Sequence, residues 1–338
     1  MQTLWQDLRF AVRMLRKNPG FATVAVLTLA VAIAANGVVF SALNGLILRP
    51  LNVPHSESLF QVGGPGDPAH SYPDYLDLRD RNRSFDGLAA YTFTQAGLDT
   101  GKNPSPAWVC EVSGNYFDVL GIQPYLGRVI HATDEQGPNS APYIVLTYAY
   151  WHSHFQDDRG VVSRTVQVNK HPFTILGVTP PAFRGTVSFF LVDFFVPMVN
   201  QEQVDGWNGL NDRANRWVGS IIGHLKAGVT PDQAVADLNS IGSYLAKTYP
   251  EGDSETRFIL GREGLPGVAF GRGIKAFLAG LMLLAGLILL AACANLGSLF
   301  TARTADRSRE VALRLALGAG RTRILRQLFT EALLISVM

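Results

Sequence analysis

Cysteine is nearly absent: Cys110 and Cys293 are the only two among 338 residues, which excludes a disulfide-stapled fold. Charge is sparse as well. Charged residues make up 17% and the formal net charge is +2, which excludes the strongly basic field of a general nucleic-acid binder. Several catalytic signatures are missing. The seven histidines, His55, His70, His131, His152, His154, His171 and His224, include no HExxH pair, and no GxSxG elbow is present. His152 and His154 could offer a metal two ligands from one strand face, but no further ligands follow at a suitable spacing, so surface or structural roles are the favoured reading. Asp157 with Asp158 reads as a turn rather than as a glycosidase carboxylate pair. The Gly-rich stretch REGLPGVAFGRGIK fails the GxxxxGK[ST] pattern, because Lys275 follows Ile274 and precedes Ala276. These absences predict a chain without enzymatic activity of its own, binding no cofactor or metal.

Long uncharged runs are what the sequence has in place of catalytic motifs. Asn18 to Leu48 is 31 residues without a formal charge, and Ala276 to Ala302 is another 27. At about 1.5 Å per residue each exceeds the ~30 Å hydrocarbon core of a bilayer, so two transmembrane helices are predicted. A signal peptide shares the basic leader of the first run, but its apolar core is only about 7 to 15 residues. The amphipathic leader LWQDLRFAVRMLRKNP reads as a surface helix that ends before Pro19.

Charge sets the orientation. Residues 1–48 hold 4 basic and 1 acidic side chains, residues 49–275 hold 18 and 23, and residues 276–338 hold 7 and 3. The positive flanks predict cytoplasmic ends and an exported middle. That topology separates Cys110 from Cys293. It also interprets RSREVALRLALGAGRTRILRQLF, Arg307 to Phe329, as a basic cytoplasmic segment at a membrane exit rather than a nucleic-acid reader. Val311 with Leu315, and Leu313 with Leu317, are helical i,i+4 pairs, and Gly318 and Gly320 permit an abrupt elbow. The closing TEALLISVM reads as the start of a third membrane helix near Glu331.

The middle region is long enough for a core of its own. In SYPDYLDLRDRNRSFDGLAAY, Tyr75, Leu76, Leu78, Phe85 and Leu88 suggest one helix with its alternating charges on a solvated face. APYIVLTYAYW and NRWVGSIIGHLKAG read as strands. RTVQVNKHPFTILGVTP reads as a hairpin, with Val166, Val168, Phe173 and Ile175 alternating around a turn at Asn169 and Lys170. In TPDQAVADLNSIGSYLAKTYP, Thr230 is the expected N-cap, Pro231 the first helical residue, and Ala234, Leu238, Ile241 and Leu245 the apolar stripe.

Long ordered strings carry a family resemblance over essentially the whole chain. The leader and first apolar run, then VSGNYFDVLGIQPYLGRVI, YIVLTYAYWHSHFQDD and VQVNKHPFTILGVTPPAFRG, and finally ANLGSLFTARTADRSREVALRLALGAGRTRILRQLFTEALL, resemble an ABC-transporter permease of the MacB/FtsX type. The similarity is strongest to the large acidobacterial-type duplicated permeases. At two places the resemblance leads one to expect glycine, but the sequence has Gln156 and Ser163, which bears on the local turns.

The resemblance implies a MacB-like periplasmic core, mixed α+β with two subdomains, inserted between transmembrane helices of an FtsX-like permease. The expected layout is a cytoplasmic leader over 1–18, a first membrane helix over 19–48, the periplasmic core over 49–273, a second membrane helix over 274–302, a cytoplasmic coupling segment over 303–328 and the start of a third helix over 329–338. The implied location is the bacterial inner membrane. The implied partners are a cytoplasmic ABC-type ATPase, which would supply the ATP chemistry, a second permease half or protomer, and membrane lipids. The contact to the ATPase would come from Glu310, Val311, Arg314, Leu315, Leu317, Gly318 and Ala319, among which Glu310, Arg314, Gly318 and Ala319 fit an E-x-x-x-R-x-x-x-G-A pattern. Two other readings share this topology: a membrane-anchored structural protein with no ATPase, and a channel or secondary transporter. The latter is disfavoured because neither apolar run carries ionisable residues.

Overall fold

The computed structural model describes residues 9, 12–13, 16, 19–43, 52–64, 69–101, 104–187, 190–250, 257–262, 271–306, 312–313, 316 and 330. Two compact units are formed, one from residues 1–44 with 275–338 and one from residues 45–274.

The first unit contains α1 (Pro19–Leu43) and α7 (Gly271–Asp306). Pro19 opens α1, where its missing N–H costs nothing. Each helix holds a span long and apolar enough to cross a membrane, Pro19–Ser41 and Ala276–Leu299. Most of their large side chains face outward, as lipid-facing residues would: Val31, Phe40, Leu283 and Leu290 are all at least 60% exposed. The buried positions recur every seven residues, Ala25 and Ala32 on α1 and Leu278, Ala285 and Ala292 on α7. Small residues at that period let two helix backbones approach closely. Ala25 packs with Leu296, and Asn36 Nδ2 donates to the Ala285 carbonyl at 3.4 Å, so the helices run antiparallel. The polar groups here are mutually satisfied. Asn295 Nδ2 donates to Thr28 Oγ1 at 3.3 Å, and that hydroxyl donates back to the Val24 carbonyl at 2.8 Å.

The second unit is built on one mixed ten-stranded sheet, in the order β10-β1-β9-β2-β3-β8-β5-β7-β4, with β6 pairing to β2 and β7. Its strands are β1 (Leu59–Gly63), β2 (Phe85–Asp99), β3 (Ser105–Val112), β4 (Leu126–Gly127), β5 (Tyr143–Leu146), β6 (Thr165–Val168), β7 (His171–Val178), β8 (Phe194–Pro197), β9 (Ser220–Leu225) and β10 (Ile259–Arg262). Neighbours are antiparallel except for β3 with β8 and β5 with β7. Any division into subdomains therefore shares this one sheet. Helices α2 (Tyr72–Arg81) and α6 (Pro231–Thr248) contribute Tyr75, Leu78, Leu238 and Leu245 to a core with Phe60, Val62 and Ile221. The short α3 (Tyr116–Leu120) supplies Tyr116, Phe117 and Leu120 to a second core with Tyr91, Val112 and Ile222. The third core joins Trp151 of α4 (Tyr148–Phe155) to Val166, Val168, Phe173 and Ile175 of the β6–β7 hairpin.

Local chemistry explains the best-read elements. Thr230 accepts from the Gln233 N–H while the Gln233 side chain accepts from the Thr230 N–H, a reciprocal cap worth about 1 kcal/mol. Burial of Leu238 and Leu245, roughly 1.5–3 kcal/mol each, decides which face of α6 turns inward. Asn169 and Lys170 take φ of 47° and 73°, the left-handed pair that a two-residue hairpin requires. At Gly177 an added Cβ would lie 2.4 Å from the carbonyl oxygens of Leu126 and Arg128, so only glycine admits that crossing.

Three expectations are corrected. Phe85 and Leu88 are on β2, not on a continued helix: α2 stops at Arg81, and Asn82 takes an extended conformation. The polar face of α2 is not uniformly solvated, because Asp74 is buried. APYIVLTYAYW is a strand followed by a helix, with Thr147 capping α4 through the Tyr150 N–H. His152 and His154 consequently sit on a helix, not on one strand face.

Candidate functional site

The residues proposed to meet an ATPase, Glu310, Val311, Arg314, Leu315, Leu317, Gly318 and Ala319, lie outside the described residues. So do most of the amphipathic leader, residues 263–270 of the Gly-rich stretch and the expected onset of a third helix at Glu331. The chemistry that can be placed in space is in the sheet domain.

Among the described residues no group of three or more His, Cys, Asp or Glu side chains converges to hold a metal. His152 and His154, two apart on α4, do not share a face. His152 Nδ1 pairs with Asp157 at 2.9 Å, while His154 stacks on Tyr150 with ring centroids 4.0 Å apart. Asp157 stands in a turn, as its place in the sequence suggests, and Asp158 accepts from the Gly160 N–H. His154 lines an open cavity of about 560 Å³ with Tyr148, Phe183, Arg184, Leu191 and Asp193. Burial raises the Asp193 carboxyl, opposed by the Trp108 N–H it accepts at 2.8 Å and by the charge of His154. Ser153 Oγ lies 2.9 Å from His154 Nδ1, but the two are chain neighbours on α4 and the hydroxyl donates to the Ala149 carbonyl at 2.8 Å. Cys110 and Cys293 are both free thiols, and burial beside Glu111 pushes the Cys110 thiol up, away from its reactive form.

Two carboxyls, one buried and one half-buried, carry no sequence motif. Glu111 is fully buried on β3, opposite Thr92 and Val196, and neither carboxyl oxygen has a partner. Burial, with Asp205 nearby, pushes its pKa up to about 8. The signal was present in the strand, since Ala107, Val109 and Glu111 alternate onto one inward face. Glu135 follows the 3-10 turn Ala132–Asp134, and burial raises it to about 7 against the pull of the Gly114 N–H and Arg79. No local pattern marks Glu135, because the groups around it come from three distant segments.

Two apolar membrane-length helices flanking a mixed α+β domain of periplasmic type define the class: a multi-pass inner-membrane protein. Residues 22–241 match the MacB-like periplasmic core domain and residues 282–338 match the FtsX-like permease C-terminal module. The chain belongs to the MacB-like periplasmic core family, and the two matches together make it a permease of the MacB/FtsX type. Curated relatives include the macrolide export ATP-binding/permease proteins MacB of Salmonella paratyphi A and Salmonella typhi, each 25% identical over 231 residues. The match covers 67% of this chain and 33% of either relative, so the chain spans about a third of their length. Among solved structures, the periplasmic region of MacB from Actinobacillus actinomycetemcomitans aligns at 16% identity and TM-score 0.46, covering 71% of this chain and 97% of that one. The extracellular domain of the noncanonic ABC-type transporter YknZ from Gram-positive bacteria aligns at 9% and 0.45, covering 60% and 99%.

Proposed function

We propose that this chain is the force-transmitting permease part of an ABC-type complex, in which a separate polypeptide hydrolyses ATP and the membrane helices carry its motion to the periplasmic domain. The observation that carries this reading is the order of modules: a membrane-length helix, the core domain, then a second membrane-length helix entering the FtsX-like module. Such an order connects the exported sheet to the cytoplasmic side with helices at both ends. In this reading residues 49–273 are periplasmic, residues 303–328 form the cytoplasmic coupling segment, and the chain itself catalyses nothing. The family's duplicated acidobacterial-type branch is the finer assignment, with a second permease half as partner.

The proposed contact is physical as well as positional. Val311 and Leu315 would present an apolar face to a partner's cleft, while the arginines nearby orient the approach. The names of the Salmonella relatives join ATP binding and permease in one protein, which supports an ATPase within reach.

The test is purification of the protein in mild detergent, mass spectrometry of what accompanies it, and ATPase assay of the complex. A stoichiometric nucleotide-binding protein, lost when Leu315→Asp and Leu317→Asp are combined in a correctly inserted protein, is the expected result. Inserted protein that brings down no ATPase, or a double variant that retains it with full coupling, would overturn the reading.

A further inference from the structure

A cavity of about 510 Å³ opens in the sheet domain beneath α2, lined by Tyr72, Leu76, Arg79, Glu135, Val199 and Leu210 among others. Its wall is mixed: the apolar side chains of Tyr72, Leu76, Val199 and Leu210 stand beside the polar Arg79, Asn115 and Asn211. Tyr72 and Leu210 are themselves buried, and Tyr72 is braced by stacking against Trp217 at 6.5 Å. Against this wall stands one carboxyl with unused capacity, since Glu135 Oε1 is buried and accepts no hydrogen bond. The other end of the group is fixed by the backbone. The Gly114 N–H supports the carboxylate, and a Cβ at Gly114 would fall 2.8 Å from both Glu135 Cδ and Oε2. Gly114 therefore leaves the space that Glu135 occupies.

Arg79 does not satisfy that oxygen. Its guanidinium is spent on Asp80, with Nε to Oδ1 at 2.7 Å and Nη2 to Oδ2 at 3.2 Å, and it lies 5.7 Å above the Tyr75 ring. The amide of Asn115, also on the wall, is engaged with Tyr75, Ser113 and the Leu88 carbonyl. What the cavity lacks is one strong donor at Glu135 and apolar bulk to fill the remainder.

We propose that this cavity binds a small amphipathic amine, its ammonium donating to Glu135 Oε1 and its apolar body lying against Tyr72, Leu76, Val199 and Leu210. A charge-assisted hydrogen bond is about twice as strong as a neutral one, which selects the amine over an alcohol of the same shape. The groups facing Glu135 are Tyr72, Tyr75 and Arg79 from α2 and Asp134 from its own turn, the last held by Arg128 at 2.7 Å. Because burial holds Glu135 near neutrality, binding of a cation tightens as pH rises from 6 to 8, while the amine stays protonated.

Isothermal titration calorimetry of the whole protein in lipid nanodiscs tests this, with benzylamine and its neutral counterpart benzyl alcohol as probes and empty nanodiscs as the blank. The expected result is saturable binding of benzylamine, at least tenfold weaker binding of benzyl alcohol, and at least tenfold loss of benzylamine affinity in Glu135→Gln. No saturable heat above the blank would overturn the proposal. Equal affinity for amine and alcohol on the unaltered protein would do the same without relying on any variant, and so would unchanged benzylamine binding by a folded Glu135→Gln protein.

Discussion

Arg213 reaches from the loop between α5 (Gln201–Asp205) and β9 back to Asp74 of α2, 139 positions earlier in the chain, with Nη1 on Oδ1. Its other nitrogen, Nη2, takes Asp77, and the guanidinium lies 3.8 Å from the centre of the Tyr249 ring beyond α6. One side chain thereby ties the loop to both helices of that core. Asp74 is only 4% exposed, so its charge is tolerable only while the partner is present.

Arg213→Ala is expected to destabilise the protein by about 2–4 kcal/mol, less than the full cost of a wholly buried pair because Asp77 and Arg213 keep some solvent. Arg213→Lys should recover only part of this, since a point charge cannot serve two carboxylates and a ring at once. Chemical denaturation of the two variants measures both effects. A loss within a few tenths of a kcal/mol for Arg213→Ala would show the clamp to be ornamental.

Gln156 and Ser163 take φ of 52° and 69°, the left-handed region in which a side chain strains the backbone. These are the two positions at which the family resemblance leads one to expect glycine, so the sequence departs from that pattern while the backbone retains the glycine-like geometry. Gln156→Gly and Ser163→Gly should each stabilise by about 0.5–1 kcal/mol despite the added unfolded-chain entropy. Thermal unfolding of the single and paired variants gives the answer. A lowered midpoint in both would mean that lost side-chain contacts outweigh the relief of strain.

Glu111 makes stability fall with rising pH. Its native pKa is about 8 against an ordinary value of 4.5, so between those values the native state keeps a proton that the unfolded chain has released. The stability is intact below the unfolded value and is lost as pH climbs through the native one, at up to about 1.4 kcal/mol per pH unit. Glu111→Gln should therefore flatten the decline between pH 5 and 8 and leave the variant more stable at pH 8. Denaturation curves at four pH values would read this directly. A residual slope of the same sign is expected from Glu135, raised to about 7.

Much of the fold was legible because its signals are local. The uncharged runs of α1 and α7 need only length and composition, α6 announces itself through Thr230, Pro231 and a stripe at helical spacing, and the β6–β7 turn follows from Asn169 beside Lys170. Helix ends were less legible. Phe85 and Leu88 continue a helical spacing from Leu78, but pairing with β9 draws them into a strand. A β partner more than 130 positions away has no trace in the local period.

The candidate sites divide along the same line. Glu111 could be found from strand alternation alone, once Ala107 and Val109 are recognised as inward-facing. Glu135 could not. Its cavity is assembled from α2, the turn after Val129–Ile130 and the segment around Val199 and Leu210, each ordinary by itself. By its own periodicities the sequence determined two membrane-length helices, the positive charge of their flanks, and the caps and turns of the domain between them, since these depend on residues within a few positions of one another. Only the tertiary structure decided that Asp74 finds Arg213, and that one oxygen of Glu135 stands without a partner beside Tyr72, Leu76, Val199 and Leu210, because burial and pairing depend on which distant segments the sheet brings together.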